Sequence, residues 1–346
     1  MKTFSRRMII KVLGLAATIA LCTPAFLAGP HAMAASNPGA AASKPPAAPA
    51  PIKVVATIAM AGDLARNIGG ARVNVRNLMG EGVDPHLYKA SPGDVRTLSD
   101  ADMILFSGLH LEGRMSDLIT RMASRKTVVQ VTDTIDEKLL REPPEFAGHF
   151  DPHVWFDVSL WATAGARVRD ALIAKDPAGK EMYTANAEIY LKQLAELHAY
   201  AKETIATIPK AARVMVTAHD AFGYFGRAYG LEVMAIQGIS TDSEASLQDI
   251  NALVDVLVSK KVPAVFIESS VPRKTIDALV EGCKARGHAV KIGGELFSDA
   301  MGKDGTPEGT YVGMVLHNVD TVTEALGGKV PARKPSLPPT PAAKSK

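Results

Sequence analysis

The sequence contains only two cysteines among its 346 residues, and this scarcity limits the sites that it can build. Cys22 lies in the apolar N-terminal segment, which leaves Cys283 as the single thiol of the folded body. A disulfide framework and a cysteine-ligated zinc site are therefore excluded. Aromatic residues are also few, at 5%, but hydrophobic residues reach 47%, which suits a globular protein of two domains or one large one.

The body of the chain also lacks an excess of basic residues. Nine of the 39 Lys and Arg residues lie in residues 1–51 and in the last sixteen residues, where there is no acid. The remainder carries 30 basic and 36 acidic residues, a net charge of −6. Nucleic-acid binding needs a basic face, so we expect no nucleic-acid partner. A mildly acidic body is compatible with a cation as ligand.

Residues 1–34 predict an export signal. A basic stretch ends at Lys11, and the uncharged run that follows, residues 12–28, is shorter than the roughly 20 residues of a membrane span. The small residues around Met33 suggest cleavage near Ala34 and release into the periplasm.

Two details of this signal bear on how the protein is exported. The segment Ser5–Lys11 resembles a twin-arginine signal, and an ordinary Sec signal is the alternative. Leu21 stands before Cys22 where a lipoprotein signal has a small residue, so we expect no lipid anchor.

The body alternates apolar, β-rich runs with helical patterns, which predicts an α/β fold with parallel sheets. The predicted strands are Val54–Ile58, Val73–Leu78, Met103–Phe106, Thr127–Val131, Val214–Thr217, Glu232–Ile236, Ala264–Ile267 and Ala289–Ile292. Between the two sets of four, residues 179–207 show the spacing of one long helix. We therefore predict two lobes, joined by a long rigid helix, with a ligand cleft between them. The predicted organisation is a signal (1–34), a disordered Ala/Pro linker (35–51), an N-terminal lobe (52–178), the connecting helix (179–208), a C-terminal lobe (209–330) and a disordered tail (331–346).

Three histidines are the strongest candidates for chemistry. His86 and His153 each follow an Asp-Pro pair on a loop, where proline stiffens the backbone that presents the imidazole. His219 directly follows a predicted parallel strand, at the end of the sheet where ligands bind. Neutral imidazoles suit a divalent metal ion. A coincidental repeat and a helix-capping histidine are the alternatives that spacing leaves open, and no His-Glu-x-x-His motif is present.

The other five histidines of the body have more ordinary explanations. We expect His110 and His149 in loops, where each is a weaker candidate for the cleft. His198 lies among charged residues of the long helix and is predicted to be solvent-exposed. His288 follows a glycine and is predicted to lie in a turn, and His317 is predicted to pack within a terminal helix.

Several segments of residues 52–328 resemble the TroA-like group, the metal-binding solute-binding proteins of ABC importers for zinc, manganese and iron. The segments are GVDPHLY (82–88), DPHVWFDV (151–158), TAHDAFGYFGRAYGLEV (217–233), QGISTDSEAS (237–246), FIESSVP (266–272) and GGELFSDAMG (293–302). The resemblance implies a single divalent ion, zinc or manganese foremost and iron as a further candidate, held between two lobes. Carried over position by position, its ligands are His86, His153, His219 and Asp299.

Asp299 rests on the resemblance alone, since the residues by themselves do not separate it from Glu295 or Asp304. Glu268, at the end of a predicted strand, is either a partner of the site or an ordinary carboxylate at a helix start or on the surface. Some members of the group have Glu in place of His219 or carry a long His-rich loop, and this chain has neither.

The predicted function is that of a monomeric periplasmic receptor, not an enzyme, that delivers a metal ion to an ABC permease. The alternatives are an exported metallohydrolase, with Glu268 or Asp220 as its base, and a cell-surface adhesin.

Overall fold

The structure, a computed structural model, describes residues 50–146 and 148–336. The predicted export signal (1–34), all but the end of the linker (35–51) and the last part of the tail (331–346) lie outside the described residues. Within the described part of the chain, no helix is long and apolar enough to cross a membrane.

Four parallel strands form the sheet of the first lobe. They are β1 (Ile52–Ala56), β2 (Val73–Asn77), β3 (Met103–Phe106) and β4 (Thr127–Gln130). Their order across the sheet is β2-β1-β3-β4, so Val54 in β1 pairs with Val75 on one side and Met103 on the other. The apolar sequence of β3 is almost entirely buried, as expected for a parallel strand covered on both faces.

The first lobe contains four helices, and two of them, the second and the fourth, begin at side-chain caps. The four helices are α1 (Ala59–Gly69), α2 (Pro92–Asp100), α3 (Ser116–Ala123) and α4 (Val158–Lys175). Ser91 and Asp94 form a capping box at the start of α2. Asp157 caps α4 by accepting a hydrogen bond from the backbone N–H of Ser159. Asp157 comes two residues after the DPHVW segment, so the start of α4 also sets the position of that segment.

The predicted connecting helix is present as α5 (Lys180–Ile205), after a short 3-10 turn at Pro177–Gly179. Its 26 residues give a length of about 39 Å. One side packs against α1 and α4 of the first lobe. The prediction of a single long helix is confirmed, with the ends shifted by one or two residues.

The second lobe contains four more strands, paired as two parallel pairs. The strands are β5 (Val214–His219), β6 (Glu232–Gln237), β7 (Ala264–Glu268) and β8 (Lys291–Leu296). The helices are α6 (Gly223–Tyr229), α7 (Leu247–Lys260), α8 (Lys274–Ala285) and α9 (Tyr311–Ala325). Strands β5 and β7 lie side by side between their partners β6 and β8, so the carboxyl ends of all four meet at one edge. The predicted two-lobed α/β fold is confirmed.

The prediction for β8 was wrong in its position. The strand occupies Lys291–Leu296 and includes Gly293 and Gly294, a pair that reads as a turn in the sequence. These glycines are needed because α9 lies against them: a Cβ on Gly293 would approach the Ala325 side chain to 2.7 Å, and one on Gly294 the Thr321 side chain to 2.5 Å. Gly294 also has a φ of +151°, which other residues rarely adopt. Asp299 therefore follows the strand end by three residues.

One apolar core continues from the first lobe across α5 into the second. It includes the buried side chains Leu64 in α1, Leu194 in α5, Phe225 in α6 and Val315 in α9. A second core lies between the second sheet and helices α7 and α8. The two lobes are thus joined by packed side chains as well as by the chain itself.

Candidate metal centre

Four buried side chains meet between the two lobes, and each offers one ligand atom within 4.8 Å of the others: His86, His153, His219 and Asp299. The Nε2 atoms of His86 and His153 are 3.3 Å apart. The Asp299 carboxylate lies 3.2 Å from Nε2 of His153 and 3.2 Å from Nε2 of His219. In the described ranges, no other group of three or more such residues converges in this way.

The repeated Asp-Pro-His sequence forms the same local turn twice. The Asp84 carboxylate accepts a hydrogen bond from the backbone N–H of His86 at 2.8 Å, and Asp151 does the same for His153 at 3.0 Å. An Asp side chain bonded two residues onward is a recurrent turn device, and the proline between fixes φ. The repeat therefore has a structural cause: it sets each imidazole on a stiff loop of the first lobe.

The second lobe contributes the other two residues from its strand ends. His219 is the last residue of β5, a strand buried along its whole length. Asp299 follows β8 on a segment held by Asn318 in α9, whose side chain accepts from the Phe297 N–H at 3.0 Å and donates to the Phe297 carbonyl at 2.7 Å. The four residues thus come from four different loops or strand ends, two on each lobe.

The spacing of these atoms matches a metal coordination shell. Metal–nitrogen bonds of about 2.0 Å in a tetrahedron place neighbouring ligand atoms about 3.3 Å apart. The three short distances among the four residues lie at 3.2–3.3 Å. Nε2 of His219 and both carboxylate oxygens of Asp299 are also buried without a hydrogen-bond partner. Buried polar atoms are rarely left unpaired, so this arrangement fits an ion at the centre.

Carboxylates hold the far side of two of the rings. Nδ1 of His153 lies 2.8 Å from Asp151, and Nδ1 of His219 lies 2.5 Å from Glu268. The backbone N–H of His219 also donates to Glu268, at 2.9 Å. Since an ionised carboxylate only accepts, each Nδ1 carries a proton and Nε2 is the atom that faces the centre. Glu268 is therefore a partner of the site, the first of the two alternatives that the sequence left open.

The four residues of the centre have strongly shifted pKa values. Burial lowers the pKa of His153, but its hydrogen bond to Asp151 and the nearby carboxylate of Asp299 outweigh burial and raise the pKa to about 9. Burial is likewise outweighed at His219, where the charges of Glu268 and Asp299 raise the pKa well above its usual value. Burial opposes ionisation of Asp299, but these two imidazoles hold its pKa well below the usual range. Burial lowers the pKa of His86 to about 3.

The remaining histidines lie outside this cluster. His110 and His149 are exposed and contact each other. His198 was predicted to be solvent-exposed, which is wrong: it is half-buried, with Nδ1 3.3 Å from the Tyr229 hydroxyl, because α6 packs onto this face of α5. His288 was predicted to lie in a turn, and it directly follows the turn at Arg286 and Gly287, where its ring bonds to the Val262 carbonyl between α7 and β7.

His317 packs within α9, as predicted, and its ring contacts Phe297.

The sequence left Glu295 and Asp304 as alternatives to Asp299. Asp299 is buried, whereas Glu295 and Asp304 are both exposed, so burial distinguishes Asp299 from them.

Sequence reasoning missed the side chains that tie the two lobes beside the centre. The Trp155 indole donates to the Ser298 carbonyl at 3.1 Å, so the neighbours of His153 and Asp299 are directly bonded. The Tyr311 hydroxyl donates to the Trp155 carbonyl at 2.6 Å. A buried Trp and a buried Tyr read as ordinary core in a sequence, and only their position reveals these bonds.

Known proteins are similar to this chain in sequence and fold over most of its length. The family model described as "ZnuA: Zinc-uptake complex component A periplasmic" matches residues 54–325. The zinc-binding protein TroA of Treponema pallidum is 49% identical over 286 residues, which are 82% of this chain and 92% of TroA. The manganese-binding lipoprotein MntA of Bacillus subtilis is 48% identical over 275 residues, 80% of this chain and 90% of MntA.

A relative with lower sequence identity is named as the substrate-binding lipoprotein of an ABC transporter. The manganese ABC transporter substrate-binding lipoprotein PsaA of Streptococcus anginosus is 32% identical over 284 residues, 80% of this chain and 89% of PsaA. The solved structure of periplasmic zinc-binding protein TroA from Treponema pallidum superimposes with a TM-score of 0.78 at 48% identity, covering 80% of this chain and 99% of that one. The family model spans residues 54–325, which are nearly all of both lobes, and the chain belongs to the family of periplasmic zinc-uptake complex component A.

Proposed function

We propose that this protein is an exported receptor that binds one divalent transition-metal ion and delivers it to the membrane permease of an ABC importer. The observation that carries the proposal is the buried cluster of four ligand atoms at coordination distance, with unpaired polar atoms facing its centre. His86, His153, His219 and Asp299 are the proposed ligands. The names of TroA, MntA and PsaA, which refer to zinc, manganese and an ABC transporter, support this reading.

Zinc and manganese are the foremost candidates for the ion, with iron as a third. Three imidazole nitrogens suit zinc, and a carboxylate with two free oxygens suits manganese. Zinc binds most nitrogen and oxygen sites more tightly than manganese or iron, so the ion carried in the cell depends on supply as well as on these ligands.

Binding without catalysis fits the surroundings of the centre. A metallohydrolase needs an open coordination position and a free base. Both oxygens of Glu268 are occupied by His219, one by its ring and one by its backbone N–H. We therefore propose that the protein is not an enzyme, and no contact of the site favours the hydrolase alternative.

We also propose that residues 1–34 are an export signal cleaved near Ala34, that the mature protein acts in the periplasm as a monomer, and that no lipid is attached. Residues 52–178, 179–208 and 209–330 are the proposed lobe, connecting helix and second lobe.

Metal titration of the purified, metal-free protein tests the proposed centre. We expect one tightly bound zinc or manganese ion per chain, with no turnover of ester, phosphate or peptide substrates. Loss of a residue that only supports a metal ligand weakens binding by roughly 10- to 100-fold. We expect a larger loss from each substitution of a proposed ligand: His86→Ala, His153→Ala, His219→Ala and Asp299→Asn.

His198→Ala is the control, because it removes a half-buried imidazole that bonds to Tyr229 and not to the centre. Equal losses in all five variants, or tight binding in the first four, would contradict the assignment of ligands.

A further inference from the structure

Two exposed histidines outside the four-residue centre lie against each other. The rings of His110 and His149 have their centroids 4.3 Å apart and are inclined at 67°. They belong to different loops, one after β3 and the other before the DPHVW segment, so the chain brings them together only on folding. No part of the proposed function uses either residue.

The turn that carries His110 is held in an unusual backbone conformation. Gly108, Leu109 and His110 have φ values of +87°, +53° and +66°, a left-handed stretch that only glycine adopts readily. The fully buried carboxylate of Glu112 fixes it by accepting hydrogen bonds from the backbone N–H groups of Ser107 at 2.7 Å and Gly108 at 3.1 Å. A buried carboxyl group thus supports the loop that carries His110.

The loop of His149 is also fixed by backbone hydrogen bonds. The His149 N–H donates to the Phe146 carbonyl at 3.0 Å, and the Asp151 N–H donates to the Arg141 carbonyl at 2.8 Å. His149 precedes His153 by four residues, so their Cα atoms are at most about 14 Å apart. The histidine pair therefore lies close to the four-residue centre without being part of it.

We propose that His110 and His149 form a second, weaker metal site that binds nitrogen-preferring ions such as Zn²⁺, Cu²⁺ and Ni²⁺ through one nitrogen of each ring. The rings of His86 and His153, which already lie at coordination spacing, have centroids 5.3 Å apart. The exposed pair needs to open by about 1 Å to reach that separation, a shift that surface side chains make readily. Mn²⁺ prefers oxygen ligands and is not held by two imidazoles alone.

The surroundings leave room for the rest of the coordination shell. His110 and His149 line a cavity of about 490 Å³ that also contains Gln130 and Ser116. Water molecules in this space complete the shell of an ion bound by two nitrogens. Such a site is exposed and has two protein ligands instead of four, so it exchanges its ion faster than the buried centre.

Equilibrium dialysis against Zn²⁺ and, separately, Mn²⁺ tests this site in the intact protein. We expect two Zn²⁺ ions per chain at high free zinc and one Mn²⁺ ion at high free manganese. His110→Asn and His149→Ala should each lose the weaker Zn²⁺ and keep the tighter one. Asn is chosen at position 110 because it tolerates the left-handed backbone. His288→Ala, which changes a half-buried histidine outside both sites, should keep both ions.

The outcome is separable from the proposed function. His219→Ala should lose the tight ion but retain the weaker Zn²⁺, because the two sites share no residue. Histidine ring resonances in ¹⁵N-labelled protein should show His110 and His149 shifting together after the first equivalent of zinc. A wild-type protein that binds only one Zn²⁺, or a His110→Asn variant that still binds two, would overturn the proposal.

Discussion

Glu268 and Asp151 each hold one imidazole of the candidate centre by its Nδ1–H group, at 2.5 Å and 2.8 Å. A carboxylate in this position orients the ring and makes its other nitrogen a better ligand. Each carboxylate also accepts the backbone N–H of the same histidine, Asp151 with the oxygen that binds the ring and Glu268 with its other oxygen, so each fixes the whole residue. At the residue scale, the centre depends on these partners as well as on its four proposed ligands.

We expect Glu268→Gln to weaken zinc binding by about 10- to 100-fold, because an amide orients the His219 ring less firmly and does not support its basicity. Isothermal titration with a competing chelator measures the change. Glu295→Gln is the matched control, since Glu295 is exposed on the neighbouring strand β8. If Glu268→Gln bound zinc with the same affinity as the wild type, Glu268 would not contribute to metal binding.

Metal affinity should rise with pH well above neutrality. The pKa of His153 is raised to about 9 and that of His219 is raised well above its usual value, so we expect both rings to hold their protons at pH 7 before an ion binds. Below these pKa values an entering cation has to displace protons, and above them it does not. We expect the affinity to increase by about tenfold per pH unit for each proton displaced, up to about pH 9.

Competition titrations between pH 5.5 and 9 check this dependence, and proton release at pH 7 can be measured by repeating the titration in buffers of different ionisation enthalpy. From reference imidazole pKa values alone, the sequence predicts a steep fall only below about pH 6. An affinity that is flat between pH 5.5 and 7.5 would argue against a histidine-dominated site.

At the scale of the elements, the loop that carries His153 is fastened to the second lobe, although it belongs to the first. The Tyr224 hydroxyl in α6 donates to the Asp151 carbonyl at 3.0 Å, Trp155 donates to Ser298, and Tyr311 in α9 donates to Trp155. All three bonds join protein groups to each other, and none involves a proposed ligand atom. They hold His153 and Asp299 at a fixed separation, so we expect part of the binding free energy to come from this preorganisation.

Trp155→Phe should therefore weaken zinc binding and speed its release by roughly threefold to tenfold, because it removes one hydrogen bond and leaves the buried Ser298 carbonyl without its donor. Stopped-flow measurement of zinc transfer to a chelator gives the release rate. Trp161→Phe provides a close control, since Trp161 is also fully buried but its indole N–H has no partner in the structure. Equal effects of both substitutions on release would mean that packing alone is responsible.

At the scale of the whole molecule, several contacts resist separation of the lobes. The apolar core is continuous from α1 through α5 to α6 and α9. Polar contacts also cross between the lobes beside the centre: Trp155–Ser298, Tyr311–Trp155, Thr241–Asp84 and Arg114–Asp242. A wide hinge opening would break this core and expose it to water, which packed interiors oppose.

We therefore expect metal loading to change the radius of gyration by on the order of 1 Å or less, since packed cores do not deform continuously. Small-angle scattering of the metal-free and zinc-loaded protein measures this, with His219→Ala in zinc as the control for effects of the ion elsewhere. A change of several ångström would show a hinge motion and contradict a rigid connecting helix.

The fold and three of the proposed ligands follow from local sequence. Apolar runs of the right length predict the parallel strands, mixed three- and four-residue steps predict α5, and two Asp-Pro-His turns present His86 and His153 because the Asp and Pro act within three residues. His219 follows from its place at the end of β5. The sequence resemblance adds Asp299, which spacing alone does not distinguish from Glu295 or Asp304.

Only the tertiary structure revealed the contacts that join residues far apart in the chain. Asp299 is set apart from its neighbours by burial against the three imidazoles, and Glu268 becomes a partner of the site only because β5 and β7 lie side by side. The glycines of β8 look like a turn until α9 is seen to lie against them. The bond between Trp155 and Ser298 joins residues 143 positions apart. Such contacts leave no periodic or local pattern in the sequence, because each is created by the packing of elements whose order along the chain does not reveal their distance in space.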